Sequence, residues 1–224
     1  MTTPGNGTDA STKAGIPITV LIGVPGSGVH DLAQQLRHLS NQSINWTTLQ
    51  VSDGIQQLRH KVLSCLEDAP KTRNPRVMLS VAGHIDTLDV LKVLNSDALK
   101  GRCFAAAVTC CVNCNHLFQD DRRTTFLTLL LDQISEGAAT SVLLTACKNV
   151  DPAVVTSFRR RLRESNPQAD VYRIDDDQLA GNDLEPMLAL QGPPESSSSE
   201  SKQSAGGHGE VASFAVPGKF VASR

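Results

Sequence analysis

The stretch that most constrains this chain is Ile18-Thr-Val-Leu-Ile-Gly-Val-Pro-Gly-Ser-Gly-Val-His30. An apolar run, Ile18–Ile22, enters a glycine-rich turn, and Asp31–Leu39 follows with Leu32, Ala33, Leu36 and Leu39 at helical spacing. A strand, a tight turn and a helix in that order gather backbone N–H groups at a helix start, where they attract anions. Gly23 and Gly28 stand at the spacing of the phosphate-binding loop G-x-x-x-x-G-K-[ST], with Gly26 and Ser27 between them. Val29 and His30 occupy the positions of the Lys and the Ser/Thr. In a working loop the lysine neutralises β- and γ-phosphate charge and the hydroxyl binds Mg²⁺. Val29 supplies no charge. His30 is a poor ligand for a hard, oxygen-seeking ion, although a protonated imidazole can touch a phosphate.

The stretch therefore has two readings. In one, Gly23–Gly28 is a strand-to-helix turn that needs small residues because the backbone must bend sharply. In the other, Gly23, Gly26, Ser27, Gly28, Val29 and His30 form a weak GTP or ATP site held by backbone amides. Full phosphoryl transfer is the least supported outcome, and the expectation is a protein that is not an enzyme.

The alternation begun at Ile18 continues. Asn45–Val51, Val77–Ala82, Phe104–Val112, Val142–Ala146 and Val171–Ile174 read as further strands. Between them, Gly54–Leu66 (with Ser52-Asp53 as caps), Asp86–Leu94 and Phe118–Ile134, the longest, read as helices. Asp151-Pro152 opens another helix with an acidic cap and Pro at its first position, and Asn166-Pro167 stops it. Asp183–Leu190 reads as a last short helix. Strands alternating with amphipathic helices predict an α/β fold, a mostly parallel sheet flanked by helices on both faces. Ligands of such sheets bind outside the carboxyl ends of the strands, so Gly23–His30, Ser80–Asp86, Cys110–Cys114 and Cys147–Asp151 are expected along one rim.

Two of those places test the first. A phosphate-transferring enzyme of this class holds Mg²⁺ with an acidic residue at a strand end. Val77-Met-Leu-Ser-Val-Ala-Gly-His-Ile-Asp86 puts Ser80 there, with Asp86 beyond the glycine. GTPases read guanine with [NT]-K-x-D after a later strand. In Leu144-Thr-Ala-Cys-Lys-Asn-Val-Asp151 the candidates Lys148 and Asp151 are one residue too far apart, and Asp151 serves equally as the helix cap.

These three places, in this order, resemble the CobW-type family of P-loop GTPases and metallochaperones over roughly residues 18–174. Ser80-Val-Ala-Gly-His-Ile-Asp86 is similar to that family's Glu-Thr-Ser-Gly-Leu-Ala-Asp stretch. The Lys148–Asp151 segment and the helix closing on Arg163-Glu-Ser-Asn-Pro167 are similar to its Asn-Lys-x-Asp segment and its Asn-Pro helix end. The family's Cys-x-Cys-Cys metal motif is missing, with only Cys65 in that region. A kept scaffold with altered chemistry resembles, more narrowly, the CobW-like portion of the Shulin-type axonemal dynein assembly factors (dynein axonemal assembly factor 9). That resemblance implies cytoplasmic assembly or packaging of axonemal dynein, with dynein subunits and an Arf-like small GTPase as expected protein partners.

Other residues carry weaker signals. Cys111 and Cys114 have the C-x₂-C spacing of zinc ligands, with His116 nearby, but no second pair completes a four-ligand site. Cys103 and Cys147 are candidates to approach across neighbouring strands, and buried cysteines acting as small hydrophobes are the simpler reading. Arg159-Arg-Arg161 and Arg163 form either a solvated helix face or a docking patch for an acidic partner.

Composition sets the outer limits. The 224 residues carry 40% hydrophobic side chains, enough for one core, and a formal net charge of −2, which gives no electrostatic reason to expect nucleic acid as a partner. No apolar run reaches membrane-span length, so membrane insertion is not expected. Six irregularly spaced cysteines read as reduced thiols. The expected organisation is a disordered start at residues 1–15, the α/β domain at 16–190 and a Ser/Gly-rich linker at 191–210. Residues 211–224 read as a tail or the start of a truncated further domain.

Overall fold

In the computed structural model the described residues are 15–39, 45–52, 54–68, 75–119, 123–135, 138–174 and 188. The expected disordered start except Gly15, the segments expected as linker and tail (191–210, 211–224) and most of the expected helix Asp183–Leu190 lie outside them.

Six parallel strands form one sheet in the order β2-β3-β1-β4-β5-β6. They are β1 (Ile16–Gly23), β2 (Asn45–Val51), β3 (Pro75–Ala82), β4 (Cys103–Asn113), β5 (Ser141–Thr145) and β6 (Asp170–Arg173). The α-helices are α1 (Val29–Leu39), α2 (Ile55–Asp68), α3 (Thr87–Leu94), α4 (Cys114–Gln119), α5 (Arg123–Ile134) and α6 (Pro152–Ser165). β1 lies at the centre, between β3 (Ile18 opposite Val77, Ile22 opposite Val81) and β4 (Ile22 opposite Cys110). Because both of its faces are covered, β1 is apolar throughout except for Thr19, rather than alternating.

Side-chain alternation along β1 divides the interior in two. Ile18, Val20 and Ile22 join a core built with α2, α3, α5 and α6, through Leu58, Val62, Val90, Leu130, Phe158 and Leu162. Leu21, Met78, Cys111 and Leu143 point to the other face, covered by Val29, Leu32, Ala33 and Leu36 of α1 and by Leu188. Thr19 Oγ1 donates to the Leu188 carbonyl at 3.0 Å, which satisfies a hydroxyl that is otherwise buried among apolar groups. Among the described residues α1 is thus the helix of the second face.

One expected element is wrong as drawn. The longest helix, expected at Phe118–Ile134, is two: α4 starts directly at the end of β4, and α5 begins at Arg123. Cys114, Leu117 and Phe118 have the i, i+3, i+4 spacing of a helix face, and Cys114 and Leu117 are buried. The strand passes into the helix with no turn residue between Asn113 and Cys114. The longest helices are instead α2 and α6, at 14 residues each.

α6 is bounded as its caps dictate. Asp151 Oδ1 accepts from Ala153 N at 2.8 Å and Pro152 opens the first turn. At the far end Asn166, 3% exposed, donates from Nδ2 to the carbonyls of Ile134 and Ala139, both at 3.0 Å. Its Oδ1 accepts from Gln168 N and Ala169 N. One side chain thereby ties the end of α5, the entry to β5 and the turn into β6 together.

Candidate functional site

A parallel sheet carries all its strand ends of one polarity on one rim, and the order of this sheet reverses direction around β1. The crevice at the carboxyl end of β1, between its neighbours, is where such sheets hold ligands. Gly23–His30 leaves β1 there, Ser80–Gly83 ends β3, Asn113–His116 follows β4, and a single 3₁₀ turn, Cys147–Asn149, follows β5. The four expected rim segments therefore do converge.

The loop keeps the form of a phosphate cradle. Ser27 N donates to Val24 O at 3.0 Å, Leu32 N to Gly28 O at 3.0 Å, and Gly83 N to Gly23 O at 3.1 Å, which fixes the loop to the end of β3. Gly26 and Gly28 have φ of +82° and +69°, a region L side chains rarely adopt. A Cβ on Gly26 would strike the His116 imidazole, and one on Gly23 would strike the Ser27 side chain, whereas nothing stands within 4 Å of the Cβ position of Gly28. Ser27 Oγ is buried and makes no hydrogen bond among the described residues.

The chemistry of the loop is altered. Val29 is 2% exposed and packs with Leu21, Leu32, Ala33 and Leu36, so it belongs to the core under α1. The His30 ring spans two hydroxyls, Nδ1 lying 2.8 Å from Ser80 Oγ and Nε2 lying 2.8 Å from Ser52 Oγ. Ser80 Oγ in turn donates to Leu49 O at 3.4 Å. Burial lowers the His30 pKa, the neighbouring Asp31 opposes that shift and Lys61 adds to it. A neutral imidazole donates through one nitrogen and accepts through the other. The tautomer with hydrogen on Nδ1 closes the chain Ser52 O–H to Nε2, Nδ1–H to Ser80 Oγ, Ser80 O–H to Leu49 O, with every polar hydrogen used. This bridge joins the helix after the loop, the middle of β3 and the end of β2.

The residues present do not fit Mg²⁺. A hard cation needs carboxylate, hydroxyl or carbonyl oxygens. Here the hydroxyls of Ser52 and Ser80 are engaged by an imidazole, and Ser80 stands in place of the strand-end acid. Sequence reasoning flagged Ser52 only as a helix cap and did not pair it with His30, since the partners lie 22 and 50 residues away along the chain.

The base-reading segment is placed but differently used. Ala146 is in the left-handed conformation (φ 53°), the 3₁₀ turn carries an exposed Lys148, and Asp151 caps α6. The cysteines also separate from expectation. Cys103 begins β4 and Cys147 lies beyond the carboxyl end of β5, so these two are at opposite ends of the sheet. Cys147 instead meets Cys114, sulfur to sulfur at 3.2 Å, both buried, and none of the six is in a disulfide. No group of three His, Cys, Asp or Glu side chains suited to a metal occurs among the described residues. His116, unassigned beyond a zinc suggestion, packs on Gly26 and against the Phe126 ring at 5.6 Å between centroids.

The parallel sheet, its order and the glycine loop after its central strand define a P-loop NTPase-like fold. A zinc-bound triple mutant of the YjiA GTPase superposes with a TM-score of 0.55 at 18% identity, and the zinc-bound YjiA GTPase from E. coli with 0.54 at 19%. Each alignment covers 78% of this chain and 61% of the other, so this chain spans about three fifths of the length of those relatives. At such identity the likeness establishes the fold. No curated protein matches the sequence. The DAAF9 domain profile matches residues 18–192, most of the chain, and the chain belongs to that family, the domain of dynein axonemal assembly factor 9.

Proposed function

We propose that this domain is a non-catalytic, P-loop-like scaffold in the cytoplasmic assembly or packaging of axonemal dynein. The family assignment supports the dynein assembly role. The single observation that carries the non-catalytic part is the Ser52–His30–Ser80 bridge, in which the residues at the loop's Ser/Thr position and at the strand-end acid position are engaged with each other. Protein partners follow from that role, with dynein subunits first and an Arf-like small GTPase as a further candidate. No described helix is long and apolar enough to cross a membrane.

The second reading is a GTP- or ATP-binding switch with little or no hydrolysis. The open space at Gly28 and the turn geometry of the loop favour it, since backbone amides alone can hold a phosphate. Thermal unfolding with and without nucleotide separates the two. A ligand at about 100 times its Kd adds about 2.7 kcal/mol to stability. The scaffold reading predicts no change in Tm with millimolar GTP or ATP, with or without Mg²⁺. A Mg²⁺-dependent rise overturns it in favour of the switch.

A further inference from the structure

The outer face of α6 carries a cluster of arginines. Val155, Phe158 and Leu162 are buried, Arg159 is half-buried, and Arg160, Arg161 and Arg163 are exposed. α6 carries Arg159, Arg160, Arg161 and Arg163 against one acid, Glu164, in a chain whose formal net charge is −2. The helix dipole accounts for one of them, because only Arg163 lies in the last turn. Internal pairing accounts for little more. Arg160 reaches Glu164 at 3.9 Å, with both side chains about two-thirds or more exposed, a geometry worth little.

Arg159, Arg160 and Arg163 with Thr156 and Glu164 line a shallow groove of about 510 Å³. A second depression of about 450 Å³, lined by Pro152, Ala153, Thr156, Ser157 and Arg160, shares Thr156 and Arg160 with it. The two therefore run on along the helix, basic at one end and with small apolar side chains at the other. Arg159 Nε makes no hydrogen bond among the described residues.

We propose that this groove docks an acidic peptide segment of a protein partner. Residues 159 and 163 are separated by a rise of about 6 Å along the helix. Alternate side chains of an extended peptide are separated by about 6.6 Å, so carboxylates two residues apart meet successive guanidinium groups. Pro152 and Ala153 give the rest of such a peptide an uncharged wall. Nucleic acid draws its affinity from many phosphate contacts, and an anionic membrane calls for a broader cluster of Lys and Arg. Three groove arginines on a net-acidic chain suit a short acidic stretch instead. The proposal rests on the scaffold reading and names the chemistry of one partner.

The test is fluorescence anisotropy of the full chain with a short labelled peptide of alternating glutamate and alanine. Binding is expected, weakening about tenfold or more in R160E/R163E, unchanged in R59E on α2, and tightened in E164Q, which removes the competing carboxylate. R160Q/R163Q, which introduces no new charge, is expected to weaken binding by a smaller factor and guards against misfolding of the reversal. Equal affinity in wild type and both double variants overturns the proposal. So does tighter binding to phosphatidylserine vesicles or to single-stranded RNA than to the peptide. Nucleotide binding is read separately by thermal unfolding, so loss of the scaffold reading and loss of this groove are distinguishable.

Discussion

At the scale of single residues, His30 ties the helix after the loop to the middle of β3 and the end of β2. In the neutral ring one nitrogen donates and the other accepts, whereas an imidazolium donates through both. Burial lowers the His30 pKa, so the folded protein binds this proton less readily than the unfolded chain does. The stability gained from the neutral ring is fully present above the ordinary histidine value of 6.5 and is lost as pH falls below it. Thermal unfolding of the wild type is expected to drop in Tm between pH 7 and pH 5, with a smaller drop in His30→Gln. An equal drop in both removes His30 as the cause. Asn166 offers a second residue-scale prediction. Asn166→Ala leaves the carbonyls of Ile134 and Ala139 and the amides of Gln168 and Ala169 without their partner, at a cost of about 3 kcal/mol by chemical denaturation. A cost under about 0.5 kcal/mol contradicts the hub role.

At the scale of elements, caps and apolar runs were legible while pairings across the chain were not. Every strand is legible to within two residues or so: the inner strands as largely apolar runs covered on both faces, the edge strands β2 and β6 through β-favouring residues such as Trp46, Thr47, Val171 and Tyr172. Asp151-Pro152 and Asn166-Pro167 marked the ends of α6 because their signals are local: a side-chain oxygen within two residues of its amide, and a proline ring. Asp151→Ala is accordingly expected to cost about 1 kcal/mol in unfolding free energy, with Asp151→Asn recovering most of it. Failure of the asparagine to recover stability gives the carboxylate a role beyond capping. The misread element, Phe118–Ile134, differs because α4 starts at Cys114, directly at the end of β4, with no turn or breaker between strand and helix. The Ser52–His30–Ser80 bridge was out of reach for another reason. The sequence shows that His30 replaces a hydroxyl and Ser80 an acid, but only the packing of α1 against β3 and β2 brings the replacements together. The same holds for Cys114 and Cys147, each unremarkable until the ends of β4 and β5 set them 3.2 Å apart.

At the scale of the whole molecule, the sheet order and the loop after β1 keep a P-loop fold, while residues at the altered positions make structural contacts. Val29 packs in the core under α1, the adjacent His30 forms a bridge, and Asp151, after β5, caps α6. These are three different structural uses at two separated places, as the proposal of a domain kept for its shape expects. Such a domain should hold one conformation whatever the nucleotide level. The backbone amide resonances of Gly23–His30, followed by heteronuclear NMR while GTP and Mg²⁺ are titrated to millimolar concentration, test this most directly. The account predicts that these amides do not move. Saturable shifts confined to Gly23–His30 and the Ser52 and Ser80 amides would contradict it, because they would mean that the cradle still closes on a phosphate and that the bridge opens to allow it.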